Sequence, residues 1–257
     1  MDQVREKPWL AHYDPGVPPE IQVPDIPLWR FLEESARRFP QNVALEFLGK
    51  TLSYQELWGL ARRFAQGLKD LGVRPGDRVA IMLPNSPQFV IAFYGTLLAG
   101  GVGVNVNPLY TPRELRHQLA DAGAETLVIL DHLLPRYLEV EKEVPVKRVV
   151  VTGIKDFLPF PKNLLYPLKA KRDGLPLGFP KREGFHAFAE LLKRPPAEPH
   201  VPDPEDLALL QYTGGTTGLA KGAMLTHRNL SANALQVRAW IPDFREGEEV
   251  VLGAIPF

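Results

Sequence analysis

Arg78-Val79-Ala80-Ile81-Met82-Leu83 is a short, nearly continuous apolar run, and Gly101-Val102-Gly103-Val104-Asn105-Val106 is another. Residues 86–99, between them, read as a helix. A strand, a helix of that length and a second strand form a right-handed crossover whose strands lie parallel and are buried on both faces. The same pattern continues downstream. Thr111-Pro112-Arg113-Glu114 opens a helix, with Thr111 as cap, Pro112 at the first position and Glu114 at the third. Leu127-Val128-Ile129-Leu130 and Arg148-Val149-Val150-Val151 are again short, apolar and β-branched. The expected fold class is α/β, a mostly parallel sheet flanked by helices.

Upstream, Ser53-Tyr54-Gln55-Glu56 is a capping box, in which Ser53 and Glu56 satisfy each other's orphan amides. It opens a helix with Leu57, Leu60, Ala61, Phe64, Leu68 and Leu71 on one face, and Gly72 supplies a left-handed stop. Residues 43–48 and the stretch from Thr51 read as strands joined by a hairpin at Gly49-Lys50. Helical spacing from Leu28 to Phe39 is ended by Pro40. Residues 1–27 are proline-rich and read as an extended arm, expected to strap its own chain rather than a second subunit.

Residues 153–200 break the alternation. They combine prolines with Lys155, Lys162, Lys169, Lys171, Arg172, Lys181 and Arg182, and with large apolar residues. A helix is expected at about 185–193, and the remainder as a surface excursion folded back on the domain. The competing expectation is peripheral contact with an anionic membrane, where each Lys or Arg contributes about 1 kcal/mol.

Bulk composition narrows the function classes. The chain is 45% hydrophobic, and 30 Lys+Arg balance 30 Asp+Glu. Zero net charge argues against nucleic acid as a partner. The absence of cysteine excludes disulfides, thiolate metal sites and cysteine nucleophiles. Apolar runs stop well short of the ~20 residues a membrane span requires, and the N-terminus has no apolar signal core. A cytoplasmic location, at most peripheral to a membrane, is expected.

The most informative stretch follows a strand at Leu207–Tyr212: Tyr212-Thr213-Gly214-Gly215-Thr216-Thr217-Gly218-Leu219-Ala220-Lys221-Gly222, then Ala223, read as leading into a helix. Glycines allow close approach and positive φ. Successive amides converge on an anion, threonine hydroxyls add donors, and Lys221 adds a point charge. These groups suit a polyphosphate. The spacing is not that of a Walker A loop, because Leu219-Ala220 precede Lys221 and Gly222 follows it. Nor does the Gly/Thr order fit the dinucleotide fingerprint.

Residues 212–229 resemble the signature of the adenylate-forming superfamily, which includes acyl-CoA synthetases, luciferases and peptide-synthetase adenylation domains. Asn105-Val106-Asn107-Pro108-Leu109-Tyr110-Thr111-Pro112-Arg113-Glu114-Leu115 and Leu83-Pro84-Asn85-Ser86-Pro87-Gln88 are similar to long-chain fatty acyl-CoA synthetases in particular. The resemblance runs from about residue 27 over nearly the whole chain. It implies ATP, Mg2+ and CoA, with a fatty acid as the acid substrate. It assigns residues 212–223 to the ATP phosphates, Lys221 to stabilising the departing pyrophosphate, and the Thr213 hydroxyl to magnesium.

In that family the acyl and adenine pockets, the ribose-binding and magnesium-binding carboxylates and the mobile C-terminal domain all come later. This chain is therefore expected to be the N-terminal part of such a ligase and to have negligible ligase activity alone. A ligase for a shorter or aromatic acid, and a non-catalytic binding or oligomerisation module, are the other readings. The expected division is an arm at 1–27, a first αβ subdomain at 75–204, and an incomplete second one from 28–74 and 205–257, whose exposed edge would favour homo-oligomers. His227 is expected to make local hydrogen bonds, and the other histidines show no metal-ligand spacing.

Overall fold

The computed structural model describes residues 7–214 and 220–255. A 3-10 turn at Pro8–His12 precedes α1 (Arg30–Arg38), the hairpin β1 (Val43–Phe47) and β2 (Lys50–Ser53), and α2 (Tyr54–Asp70). Then come β3 (Arg78–Met82), α3 (Pro87–Ala99), β4 (Val102–Asn105), α4 (Pro112–Ala122), β5 (Thr126–Leu130), α5 (Leu134–Val140) and β6 (Arg148–Thr152). The chain continues through α6 (Lys162–Arg172), β7 (Phe185–Ala187), α7 (Phe188–Leu191), β8 (Leu207–Thr213), β9 (Lys221–Thr226) and α8 (His227–Ala239). Seven of these strands form one sheet in the order β7-β6-β5-β3-β4-β8-β9, parallel throughout except for the β8–β9 pair. The expected α/β class is what the structure contains.

Burial explains the composition of the strands. Every residue of β5 is buried, as is all of β3 after Arg78. Such strands tolerate apolar residues on both faces only because helices cover both sides. Both capping boxes form as read: Ser53 with Glu56 at α2, and Thr111 with Glu114 at α4. Gly72 takes φ 83°, the left-handed stop that follows α2.

Helices α2 and α3 pack closely. A Cβ at Gly95 would lie 2.7 Å from the Phe64 ring and 3.0 Å from the Ala61 carbonyl oxygen. Only hydrogen fits there. Gly67 on α2 is crowded in the same way by Leu191 of α7, at 2.5 Å. The Phe64 and Phe188 rings meet at 4.6 Å, tilted by 32°, so α2, α3 and α7 pack together beside the sheet.

Several boundaries differ from the sequence reading. The hairpin turn is Leu48-Gly49, not Gly49-Lys50, because Phe47 pairs with Lys50 and both turn residues have positive φ. Residues 153–200 are more regular than expected. They contain α6, and the helix expected at 185–193 is split into β7, which extends the sheet beside β6, and the short α7. Residues 205–226 carry β8 and β9, which continue the same sheet as β3–β7 rather than starting a separate layer. α1 and α2 share its core as well, with Trp29, Phe64 and Leu68 buried alongside Val79 and Ile81. The described part of the arm lies on its own chain. Tyr13 meets Trp240 at 4.8 Å, and Asp25 pairs with Arg228.

Two glycine substitutions separate packing from propensity. Gly59, in the middle of α2, has open space where a Cβ would stand. Gly59→Ala should stabilise the chain by about 0.5–1 kcal/mol in urea unfolding, whereas Gly95→Ala should destabilise it by about 1–3 kcal/mol.

Candidate phosphate-binding hairpin

The glycine- and threonine-rich stretch stands at the carboxyl end of β8, the edge of a parallel sheet where open α/β folds bind ligands. β8 reaches that place through its pairing with β4, Gly103 beside Leu209 and Asn105 beside Gln211. The Asn105 amide donates to Gln211 Oε1 at 3.0 Å, and Gln118 of α4 donates to the Asn105 carbonyl at 2.7 Å. A strap at 197–200 guides the chain towards β8. Ala197 N–H bonds the Arg62 carbonyl, His200 N–H bonds the Leu98 carbonyl, and the Trp29 indole donates to the His200 carbonyl at 3.1 Å.

One expectation changes here. The stretch does not lead directly into a helix. Lys221–Thr226 is a strand that pairs antiparallel with β8, from Leu207 with Thr226 to Thr213 with Lys221, and α8 begins only at His227. The described residues on either side of the loop, Thr213 and Lys221, therefore pair at the end of a β-hairpin stem. A helix that starts at the loop is not there to offer its N-terminal amides to an anion.

Among the residues assigned to phosphate, Tyr212 and Thr213 end β8, Gly214 follows exposed, Ala220 leads back, and Lys221, Gly222 and Ala223 begin β9. Gly215, Thr216, Thr217, Gly218 and Leu219 lie outside the described residues. Thr213 and Lys221 are both exposed and face each other across the hairpin stem. Lys221 makes no ion pair among the described residues, leaving its ammonium uncompensated at the loop's base. No cluster of three or more His, Asp or Glu among the described residues could hold a metal. The Thr213 hydroxyl alone is not a metal site, so magnesium would have to arrive with phosphate oxygens as most of its ligands.

Gly222 has a steric role. It sits opposite Tyr212, and a Cβ there would lie 3.0 Å from the phenol ring. Gly214 does not take the positive φ expected of the loop glycines. Tyr212 in turn donates to Asp121 Oδ2 at 2.6 Å, and burial together with that carboxylate pushes its phenol above the usual tyrosine range. His117 lies 3.4 Å from the Ala220 carbonyl oxygen. His117 and Asp121 are four apart on α4, so they share a face and brace both sides of the hairpin. The sequence reading missed both. The only signal was their i, i+4 spacing on a helix whose cap had been recognised.

His227 is buried, and its Nδ1 accepts the Leu28 N–H at 3.2 Å. Burial lowers its pKa to about 4. It ties the start of α8 to Leu28, just past the arm, so its partner is 199 residues away rather than local as expected.

The family model described as AMP-binding enzyme matches residues 32–257. A long-chain-fatty-acid–CoA ligase of Bacillus subtilis is 44% identical over 256 residues, which is 98% of this chain and 46% of that protein. A ligase of the same name from Escherichia coli O157:H7 is 40% identical over 262 residues, again 98% and 46%. The crystal structure of a long-chain-fatty-acid-CoA ligase from Archaeoglobus fulgidus superposes with a TM-score of 0.71 at 30% identity, over 88% of this chain and 42% of that one. The chain thus spans about half the length of the relatives it matches.

The Tyr212–Gly222 contact can be tested by a double-mutant cycle. Gly222→Ala should cost about 1–2 kcal/mol with Tyr212 present, and nothing once Tyr212 is Ala. The His227 tie predicts a pH effect. The unfolded histidine binds a proton near pH 6.5 and the folded one only near 4, so stability is lost as pH falls through that window. His227→Gln should flatten the slope between pH 6.5 and 4.5. A smaller residual slope belongs to His186, whose pKa burial also lowers.

Proposed function

The chain belongs to the AMP-binding enzyme family, and we propose that it is the N-terminal, ATP-phosphate-binding portion of a long-chain fatty acid:CoA ligase. The observation that carries this reading is the hairpin at the end of β8. It presents Thr213, Gly214 and the uncompensated Lys221 at the carboxyl edge of the sheet, within a chain 44% identical to a ligase of that name.

A fatty carboxylate is a poor electrophile, because it is anionic and has no leaving group. The proposed reaction activates it in two steps. A carboxylate oxygen attacks the α-phosphorus of ATP, forming the acyl–O–P bond while the bond to the β-phosphate oxygen breaks and pyrophosphate departs. The CoA thiol then attacks the acyl carbon, loses its proton, and expels AMP to give the thioester. Charge accumulates on the pyrophosphate during the first step, so fixed positive charge and oriented donors lower that barrier. Lys221 supplies the charge from the hairpin base, and the Thr213 hydroxyl lies across the stem from it. A magnesium ion arriving with the nucleotide would supply further neutralisation of phosphate charge, and the Thr213 hydroxyl is the one described group assigned to it. Asp121 and His117 do not touch phosphate in this scheme; they hold the hairpin in place.

A ligase for a shorter or aromatic acid would use the same hairpin, and no described residue favours it over the long-chain reading. The test is calorimetric titration with Mg-ATP. Lys221→Ala should weaken binding about 10–100-fold, the usual worth of a charged hydrogen bond, while Lys193→Ala, remote and paired with Glu190, should not. Equal affinities for wild type and Lys221→Ala would remove Lys221 from the phosphate site.

A further inference from the structure

α6 is apolar on both sides. Its inner face, Tyr166, Pro167 and Ala170, is half-buried or buried against the domain. Its outer face carries Leu164, Leu165 and Leu168 at i, i+1 and i+4, exposed by 65%, 56% and 69%. Two neighbours extend the patch. Phe160, just before the helix, is 78% exposed. Leu48, at the tip of the β1–β2 hairpin, is 56% exposed and is held against α6 by Lys162 Nζ, which donates to its carbonyl at 2.9 Å. Leu48 also has φ 53°, a left-handed conformation costly for a residue with a Cβ, and it is the only described non-glycine residue with positive φ. Single exposed leucines are ordinary, but five exposed large apolar side chains on and beside one helix mark a contact surface.

The charge around the patch names the partner. Over residues 153–184, seven Lys or Arg stand against three Asp or Glu, in a chain whose total is zero. Helical spacing carries Lys171 and Arg172 onto the end of the leucine stripe, at i+7 and i+8 from Leu164. Lys155, Lys169, Lys171 and Lys181 make no ion pair among the described residues. An apolar stripe rimmed by uncompensated cations is complementary to an anionic lipid surface, with the leucines at the acyl boundary and the lysines reaching the headgroups. No helix of the described residues is long and apolar enough to cross a membrane, so the contact would be peripheral.

We propose that α6, with Phe160 and Leu48, docks this chain on the surface of an anionic lipid bilayer. The surface is separate from the phosphate hairpin and stands independently of the ligase reading. Under the ligase reading, that arrangement would also bring an acid dissolved in the bilayer close to the protein without free diffusion through water.

Vesicle flotation tests it. The wild-type chain should float with phosphatidylglycerol-containing vesicles at low salt, stay down with pure phosphatidylcholine, and be released as salt rises. Reversing Lys169, Lys171 and Arg172 to Glu should weaken binding about a hundredfold or more. Leu164→Ser with Leu168→Ser should weaken it about tenfold or more. These side chains are exposed, so melting temperatures should stay unchanged; if the leucine pair disturbs folding, Leu165→Ser alone serves as the second apolar variant. Failure of the wild type to float, or flotation unaffected by charge reversal, would overturn the proposal. So would a vesicle-free dimer in sedimentation that the leucine substitutions abolish, since a second copy would then be the occupant.

Discussion

The parallel pairing of β4 with β8 joins two stretches far apart in sequence, and the candidate site rests on it. Without it, β8 has no neighbour on that side, β9 has nothing to complete, and the Thr213–Lys221 stem is not at the sheet's carboxyl edge. The pairing is enforced from several directions. Asn105 and Gln211 bond side chain to side chain within it, and Gln118 of α4 clasps Asn105. The strap at 197–200 fixes where β8 must begin by bonding both α2 and the end of α3. Placing a polar loop accurately is therefore a property of the buried scaffold, not of the loop.

That scaffold is built by close approach. α2 and α3 meet where Gly95 has no Cβ, and α2 meets α7 where Gly67 has none. Such contacts bring backbones together and let Phe64 reach Phe188, but they leave no room for added volume. The same device recurs at the site, where Gly222 makes space for the Tyr212 ring and Tyr212 can then reach Asp121. At these positions glycine serves to admit a neighbour, whereas at others, such as Gly72, it turns the backbone.

Much of this was legible in the sequence, and the limits have physical causes. Capping boxes at Ser53–Glu56 and Thr111–Glu114 were readable because their reciprocal bonds span three residues. The buried strands β3, β5 and β6 were readable because burial on both faces leaves an apolar run. β9 was not, because Lys221-Gly222-Ala223 follows directly on a glycine-rich loop and is a strand only by virtue of β8. α6 was hidden by its own Pro167 and by surrounding prolines. The loop was recognised from its composition, while Asp121 and His117 escaped notice because their partners lie 91 and 103 residues away.

The long interval between β4 and β8 also has a temporal side. A ribosome finishes β4 at Asn105 but does not reach Leu207 until about 5–20 seconds later, at ordinary rates of synthesis. During that interval β3, β5 and β6 can assemble around β4, yet its far edge keeps a row of unpaired amides and carbonyls. A nascent chain in this state offers a template to any other extended strand nearby. The candidate site is thus assembled after the sheet's other strands, and their unpaired edge is exposed to misassociation and to chaperones until it forms.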